Sequence, residues 1–191
     1  MVVKEKQNRN GGDRAWVYFY ALILIQSVFT GAAFAGPSGG EVVGGAGSIS
    51  QSGANTTINQ TTQNMAIDWQ SYNVNVNERV QYIQPNSSSV SLNSILSQNG
   101  STIAGRIDAN GQVILVNPNG IFFTPTSVLN VGGIIASGLN IQTDDFMNGN
   151  YIFDEVLGAD GTVINSGIIN ASVGGNVALI GKQHIHAMGV S

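Results

Sequence analysis

A rigid four-residue turn between two strongly apolar runs constrains the fold of this chain more than any other feature. Residues 113–123 read VILVNPNGIFF, with an Asn-Pro-Asn-Gly segment at residues 117–120 between aliphatic and aromatic residues. An Asn side chain can cap a turn from its first position, and Pro presets φ near about −65° at the second. Asn tolerates the third position, and Gly at the fourth lets the chain leave in a new direction. We therefore predict a type I turn between two buried strands.

Short runs rich in Val and Ile recur between Gly- and Asn-containing turns in the rest of the chain. Examples are GQVILV, TSVLNVGGIIAS, GTVINSGIINAS and GNVALIG. The abundance of Gly, Asn and Ser could indicate low-complexity disorder, but such regularly spaced β-branched runs are typical of strands. After residue 36, the segment around residues 143–147 is the only one that suggests a short helix or loop.

Two internal echoes favour a β-solenoid. ANGQV at residues 109–113 resembles ADGTV at residues 159–163, and NVGGIIAS at residues 130–137 resembles NSGIINAS at residues 165–172. Recurring echoes are typical of folds in which one turn of chain, about 20–25 residues long, buries its apolar face only by stacking on the next. The alternative is an antiparallel sandwich, which would show stricter apolar and polar alternation and more aromatic residues.

A more polar segment precedes these runs. Residues 56–85 contain Trp69 and Tyr72 within alternating polar and apolar positions. Because an uncovered sheet edge invites pairing with other chains, a solenoid needs a cap over its first rung. We interpret residues 41 to about 85 as an amino-terminal cap plus the first rungs, with Trp69 as a cap or core residue. At the other end HIHAMGVS carries no polar cap, so we expect a rung truncated at the carboxyl terminus.

Residues 1–35 have the character of a secretory signal peptide. An apolar stretch at residues 15–35 ends in Ala-Phe-Ala, so we expect cleavage between Ala35 and Gly36. The alternative is a membrane anchor, since the stretch is long enough to span a bilayer. The small residues at its end and the lack of a basic flank after it favour cleavage. Four basic residues form the head of this leader: Lys4, Lys6, Arg9 and Arg14.

The mature region, residues 36–191, would be acidic. Of the seven Lys and Arg residues four lie in the leader, and of the eleven Asp and Glu residues two do. Three basic residues then remain against nine acidic ones, a net charge of −6. This argues against a nucleic-acid partner, because few cations are left to neutralise phosphates. The chain has no cysteine, so packing alone must hold the fold, which suits a protein that crosses a second membrane unfolded.

Three segments, in this order, carry a resemblance to a known family: AIDWQSYNVNVNERVQYIQPNSSSVSLNSIL, IAGRIDANGQVILVNPNGIFF and VGGIIASGLNI. They resemble the amino-terminal domain of two-partner secretion exoproteins, the haemagglutination-activity domain of filamentous-haemagglutinin-like and high-molecular-weight adhesins. The resemblance covers roughly residues 47–191. It implies an all-β fold over residues 36–191, a right-handed parallel β-helix of the pectin-lyase-like type with an amino-terminal cap.

The resemblance also implies a partner and a destination. The partner is an outer-membrane β-barrel transporter whose periplasmic POTRA domains recognise this domain and thread the chain to the surface, where the helix folds. We therefore expect a Gram-negative adhesin that is exported through the periplasm and is surface-exposed or secreted. Host-cell glycans or proteins would be bound by a downstream region. The family's secretion motif falls on Asn117, Pro118, Asn119, Gly120 and Ile121.

The chain departs from the family pattern in two places. The NPNL motif of one subgroup is not found upstream, which places the chain with the subgroup that lacks it. At residues 93–95 the chain reads Asn-Ser-Ile where relatives often have Asn-Arg-Val.

An enzyme is the competing class, because β-helices also host polysaccharide lyases and hydrolases. Those enzymes need clustered carboxylates or Ca²⁺ ligands with a basic residue nearby. The pairs at residues 144–145 and 154–155 have no basic neighbour in sequence, so we interpret them as solvated acids. His184 and His186 lack a third ligand, and GGEVVGGAG lacks the ending of a phosphate loop. We predict no catalytic residue, metal site or cofactor. The alternatives are a stand-alone secreted β-helix that binds or cleaves carbohydrate, and a remnant without function.

Overall fold

The computed structural model describes residues 36–182 and the backbone of residues 184–186. The expected leader, the cleavage position Ala35 and the side chains of His184 and His186 lie outside the described residues. Within that part of the chain, no helix has the length and apolar character required to cross a bilayer.

Strands with one short helix form the described part of the chain. In chain order the elements are β1 (Glu41–Gly44), β2 (Gly47–Ser52), β3 (Asn55–Gln60), β4 (Asn64–Trp69), β5 (Arg79–Ile83), β6 (Val90–Ile95), β7 (Ser101–Ile103), β8 (Arg106–Ala109), β9 (Gln112–Val116), β10 (Ile121–Phe123), β11 (Val128–Val131), β12 (Gly133–Ser137), α1 (Thr143–Met147), β13 (Val163–Asn165), β14 (Ile168–Ala171), β15 (Val177–Ile180) and β16 (His184–His186). Helix α1 lies where the sequence suggested a short helix or loop.

The strands form three sheets that the chain visits in turn. Sheet I has the order β1-β4-β6-β9-β12-β15, sheet II the order β14-β11-β8-β5-β3-β2, and sheet III the order β16-β13-β10-β7. Each rung is one circuit through sheet II, sheet I and sheet III, for example β8, β9 and β10. Pairing between rungs is parallel throughout the described strands, while β1 and β2 pair antiparallel with β4 and β3. The predicted parallel β-helix is confirmed, and the antiparallel sandwich is excluded.

The core is a set of apolar columns that run along the helix axis. In sheet II, Val80, Ile107, Leu129 and Ile169 are successive register partners and are all buried. Burial of such an aliphatic side chain contributes about 1.5–3 kcal/mol relative to exposure. Since each rung offers only a narrow apolar face, this stabilisation exists only when rungs stack, as expected for a solenoid.

The cap consists of the two strands that pair antiparallel. Antiparallel strands β1 and β2 close the edges of sheets I and II, and the first rung already begins at β3. Trp69 is buried under this cap, because a Cβ on Gly40 would lie only 2.5 Å from its ring. The segment from residue 41 to about 85 is therefore cap plus first rungs, as predicted, with their boundary near residue 54.

The two echoes in the sequence do not mark equivalent positions. ANGQV joins β8 in sheet II to β9 in sheet I, whereas ADGTV leads into β13 in sheet III. NVGGIIAS and NSGIINAS are likewise displaced by one face. The true equivalents are set by backbone pairing, in which Val128 lies opposite Ile168 because residues 138–162 make an excursion from the helix. The solenoid prediction is confirmed, although its echoes do not lie at equivalent positions of successive rungs.

The excursion covers the outer face of sheet I. Phe146 of α1 is buried and packs with Ala66, Leu92 and Ile114, which are the outward apolar residues of β4, β6 and β9. The acidic pairs at residues 144–145 and 154–155 lie in this excursion. Their side chains are exposed or partly exposed, as expected for solvated acids.

Candidate functional site

The Asn-Pro-Asn-Gly turn, residues 117–120, joins β9 in sheet I to β10 in sheet III. The carbonyl oxygen of Asn117 accepts a hydrogen bond from the backbone nitrogen of Gly120 at 2.9 Å. None of the described non-glycine residues has a positive φ, so Asn119 has the φ of a type I turn and not that of a type II turn. The predicted turn between two strands is confirmed.

The side chain of Asn117 is fully buried and uses both ends of its amide. Its Oδ1 accepts a hydrogen bond from the backbone nitrogen of Asn119 at 2.9 Å, which closes the turn from inside. Its Nδ2 donates to the carbonyl oxygen of Asn99 at 3.1 Å and to Oγ of Ser101 at 3.0 Å, both in the preceding rung. Most buried polar side chains in proteins are hydrogen-bonded in this way.

The same turn is bonded to the rungs on both sides. Nδ2 of Asn119 donates to the carbonyl oxygen of Ser97 in the preceding rung at 2.8 Å. On the other side, Gly161 donates its backbone N–H to the carbonyl oxygen of Pro118 at 2.8 Å, and Asn117 donates to that of Ser137 at 2.9 Å. The turn therefore sets the alignment of three consecutive rungs.

Gly120 is required by both conformation and space. Its φ of +102° lies in a region that side chains other than glycine rarely adopt, and a Cβ would lie 3.0 Å from the carbonyl oxygen of Thr162. The next residue, Ile121, points into the core and is 2% exposed. The structure thus brings the five residues of the predicted secretion motif together as one turn with an apolar anchor.

An open cleft with both polar and apolar lining residues lies beside the turn. It is lined by Leu96 at the end of β6, by Pro118 and Asn119 of the turn, and by Val156 and Leu157 of the excursion. Leu157 is completely exposed and Leu96 is 65% exposed. Sequence reasoning missed this cleft, because its two walls are separated by about sixty residues and meet only in the fold.

A buried polar cluster beneath the cap was also missed. Oδ1 of Asn93 accepts hydrogen bonds from Nε1 of Trp69 at 3.0 Å and from the hydroxyl of Tyr82 at 2.9 Å. The hydroxyls of Tyr72 and Tyr82 lie 2.8 Å apart. Burial raises the pKa of both tyrosines above the ordinary value. This cluster links the first two rungs at the Asn-Ser-Ile segment where the chain departs from the family pattern.

Two of the three basic residues among residues 36–191 share one carboxylate on the outer face of sheet II. Nε of Arg79 and Nε of Arg106 lie 2.5 and 2.6 Å from Oδ2 of Asp108. Nδ2 of Asn130 donates to Oδ1 of the same residue at 2.9 Å. Partial burial would raise the pKa of Asp108, but hydrogen bonds from Arg106, Asn130 and Arg79 outweigh it and hold the pKa below its ordinary value.

The third basic residue changes the surroundings of one acidic pair. The sequence places no basic residue near residues 154–155, but in the fold Nζ of Lys182 lies 3.8 Å from Oε2 of Glu155. Among the described residues, no group of three His, Cys, Asp or Glu side chains is placed to hold a metal ion.

Comparison with known families and structures agrees with this architecture. A family model for the TPS secretion domain matches residues 33–191. The crystal structure of the HMW1 secretion domain from Haemophilus influenzae is similar over 81% of this chain and 42% of that one, at 31% sequence identity and a TM-score of 0.77.

Two curated relatives are much longer proteins than this chain. A heme/hemopexin-binding protein of Haemophilus influenzae strain Rd is 36% identical over 124 residues, which is 63% of this chain and 14% of that protein. A second protein of the same name from Haemophilus influenzae is 32% identical over 136 residues, or 69% of this chain and 15% of that protein. The chain thus spans about one seventh of the length of these relatives.

Proposed function

The chain belongs to the TPS secretion domain family, and we propose that it directs the export of an exoprotein through an outer-membrane transporter. In this proposal a signal peptide brings the chain to the periplasm of a Gram-negative cell. POTRA domains of a β-barrel transporter then recognise residues 36–191. The chain is threaded outward and folds at the surface, where the exoprotein stays attached or is released.

The observation that best supports this proposal is the complete burial of the Asn117 side chain. In the folded helix its amide makes three internal hydrogen bonds and exposes no surface. A partner protein could therefore contact this side chain only before the neighbouring rungs pack over it. We infer that the transporter binds the domain in an incompletely folded form, and that the same residues then close the helix on the far side of the membrane.

The bonds of the Asn-Pro-Asn-Gly turn support a role in starting the fold. The turn is local, so it can form without distant contacts, and it presents hydrogen-bonding groups to the rungs before and after it. Parallel strands are separated by long connections and pair slowly. A preformed turn that aligns three rungs would give the emerging chain a template for pairing.

We propose only an export role for this domain, and no binding activity toward host molecules. Its relatives are named heme/hemopexin-binding proteins, and the similar structure is a secretion domain. Binding of a heme protein, and adhesion to host glycans or proteins, would both belong to regions beyond the export domain. The stand-alone carbohydrate-binding alternative predicts instead that residues 36–191 bind glycans without a transporter.

The test compares the Asn-Pro-Asn-Gly turn with a second turn that also has Pro at its second position. Residues 124–127, Thr-Pro-Thr-Ser, form another turn with Pro at the second position, closed by a 3.0 Å bond from Ser127 to Thr124. We expect Asn117→Ala with Gly120→Val to abolish secretion through a co-produced transporter while the protein still accumulates in the periplasm. Thr124→Ala is the matched control and should be secreted normally. Normal secretion of the Asn117 and Gly120 double variant would overturn the proposal.

The binding step is measured separately. Purified POTRA domains should retain the urea-unfolded chain in a pull-down after rapid dilution, and should retain the prefolded chain much less. Equal retention of both forms would exclude recognition before folding.

A further inference from the structure

The first described residues are held tightly against the cap. Pro37 is buried, and its carbonyl oxygen accepts a hydrogen bond from Nε2 of Gln51 in β2. The backbone nitrogen of Ser38 donates to the carbonyl oxygen of Ser71 at 2.8 Å, and the two Ser hydroxyls lie 2.7 Å apart. The chain is therefore fixed in place directly after Gly36.

Gly36 itself faces polar groups of the cap. A Cβ on Gly36 would lie 3.4 Å from Oγ1 of Thr56 and 3.8 Å from Nε2 of Gln51. Gln51 and Thr56 are register partners in the antiparallel pair of β2 and β3, so their positions are set by the backbone. Gly36 thus sits at one wall of a small polar cleft.

The lining of this cleft also includes a buried carboxylate. Glu78 lines the same cleft as Gly36 and Thr56, and it is only 7% exposed. One of its oxygens, Oε2, accepts a hydrogen bond from the backbone nitrogen of Asn75 at 2.7 Å. Glu78 is the only titratable residue among the described residues that line the cleft.

We propose that this cleft is a docking site for the amino terminus that signal-peptide cleavage creates. The inference rests on cleavage between Ala35 and Gly36 and goes beyond recognition by the transporter. Hydrolysis of that peptide bond by signal peptidase consumes one water, leaves a carboxylate on Ala35 and frees an amino group on Gly36. The amino group is protonated at neutral pH, since its ordinary pKa is about 7.7–8.0. It pairs with the carboxylate of Glu78.

The charge of the cleft favours this pairing. Before cleavage the nitrogen of Gly36 is a neutral amide, and none of the described residues that line the cleft is a Lys or Arg. A buried charge is costly unless it is paired and hydrogen-bonded. The basic side chain next in sequence, Arg79, is engaged by Asp108 on the outer face of sheet II. Cleavage would therefore supply the missing cation and tighten the cap over the first rung.

Glu78 also closes a turn, and the test must separate the two roles. The backbone nitrogen of Glu78 donates to the carbonyl oxygen of Asn75 at 2.9 Å, and its side chain caps the same turn. Glu78→Gln keeps an oxygen that can accept from Asn75 and removes only the charge. Glu41→Gln makes the same change on an exposed glutamate of the cap and is the matched control.

The experiment uses the chain exported and processed in a Gram-negative host, with its amino terminus identified by mass spectrometry. The pKa of the Gly36 amino group is measured from the pH dependence of its acetylation rate, with Lys182 as an internal reference. We expect a pKa about one unit or more above the ordinary value in the native protein. The pKa should return to the ordinary range in Glu78→Gln and stay raised in Glu41→Gln.

A second measurement needs no substitution. Acetylation of the Gly36 amino group should lower the melting temperature of the native processed protein and have little effect in Glu78→Gln. An amino terminus other than Gly36 would remove the premise of the proposal. The same amino-group pKa in the native protein and in Glu78→Gln would overturn the pairing even if cleavage occurs where expected. Neither result bears on recognition by POTRA domains.

Discussion

The indole N–H of Trp69 donates a 3.0 Å hydrogen bond to the amide oxygen of Asn93 inside the apolar core, across two rungs of the helix. The amide nitrogen of Asn93 in turn donates to the carbonyl oxygen of Ile114 in the third rung at 3.2 Å. One buried side chain therefore connects the first three rungs. Stacked apolar residues can still pack if a strand shifts to the next rung. The hydrogen bonds of Asn93 would be lost in such a shift, so they specify which strands pair.

Replacing Asn93 should be among the most destabilising changes in the core. Asn93→Leu keeps the size but leaves the N–H of Trp69 and the hydroxyl of Tyr82 with one fewer buried partner. Each unsatisfied buried group costs about 1–3 kcal/mol, so we expect a loss of about 2–5 kcal/mol. Urea unfolding monitored by Trp fluorescence measures it. Asn170→Leu, on the exposed face of sheet II, should change the free energy of unfolding by less than about 1 kcal/mol, and equal losses in both variants would contradict the role of Asn93.

The Asn-Pro-Asn-Gly turn should control folding speed as well as stability. Asn117→Ala removes three internal hydrogen bonds, and the expected loss is about 2–4 kcal/mol. If the turn forms early, most of that loss should appear as slower refolding. Stopped-flow refolding from urea gives the rates, with Thr124→Ala as the control. A variant that refolds at the native rate and only unfolds faster would place the turn late in folding.

Substitutions at Gly120 and Gly53 separate the cost of a steric clash from the cost of an unfavourable backbone conformation. Both have positive φ, +102° and +56°, but a Cβ on Gly53 meets nothing within 4 Å. We expect Gly53→Ala to cost about 1 kcal/mol, as conformational strain alone would. Gly120→Ala adds the contact with the carbonyl oxygen of Thr162 and should cost about 2–4 kcal/mol. Thermal unfolding of both variants measures the difference, and equal costs would show that the neighbouring rung yields to the added methyl group.

Stability should fall at alkaline pH through the buried tyrosines. Burial raises the pKa of Tyr72 and Tyr82 in the folded state, whereas the unfolded value is about 10. Their contribution is therefore fully present below about pH 10 and is lost as pH rises above it, because only the unfolded chain ionises readily. Urea unfolding between pH 8 and 12, together with tyrosinate absorbance, follows this change.

Tyr72→Phe provides the comparison for the alkaline transition. It should weaken the dependence on pH above about 10, whereas Tyr151→Phe, at an exposed position, should leave most of it. If Tyr72 and Tyr82 ionised together with the exposed Tyr151 before unfolding, the proposed cause would be wrong.

The opposite dependence is expected at acid pH for Asp108. Its pKa is lowered in the folded state, so its contribution is present above the unfolded pKa of about 3.9 and is lost as pH falls below that value. Asp108→Asn should lower stability at pH 7 and reduce the slope of the free energy of unfolding between about pH 5 and 2. Because both arginines are partly exposed, added salt should reduce the effect. Asp144→Asn is a control with the same charge change on an exposed side chain.

The sequence by itself determined the features that depend on neighbouring residues. The turn at residues 117–120 could be predicted because Asn, Pro and Gly each act within four residues of chain. The strands could be predicted from β-branched runs, and residues 143–147 were expected to form a short helix or loop. The resemblance to the family could also be recognised from local segments in their order along the chain, because a segment such as GQVILVNPNGI can be identified without reference to any distant residue.

The tertiary structure alone decided which of these segments meet. The echoes lie on different faces of the helix because similar turns occur at every corner, whereas backbone pairing sets Val128 against Ile168 across the excursion. The bond of Trp69 to Asn93, the approach of Lys182 to Glu155 and the shared cleft of Gly36 and Glu78 likewise join residues far apart in sequence. Parallel pairing places no local constraint on register, so the choice among rungs depends on the sum of many long-range contacts.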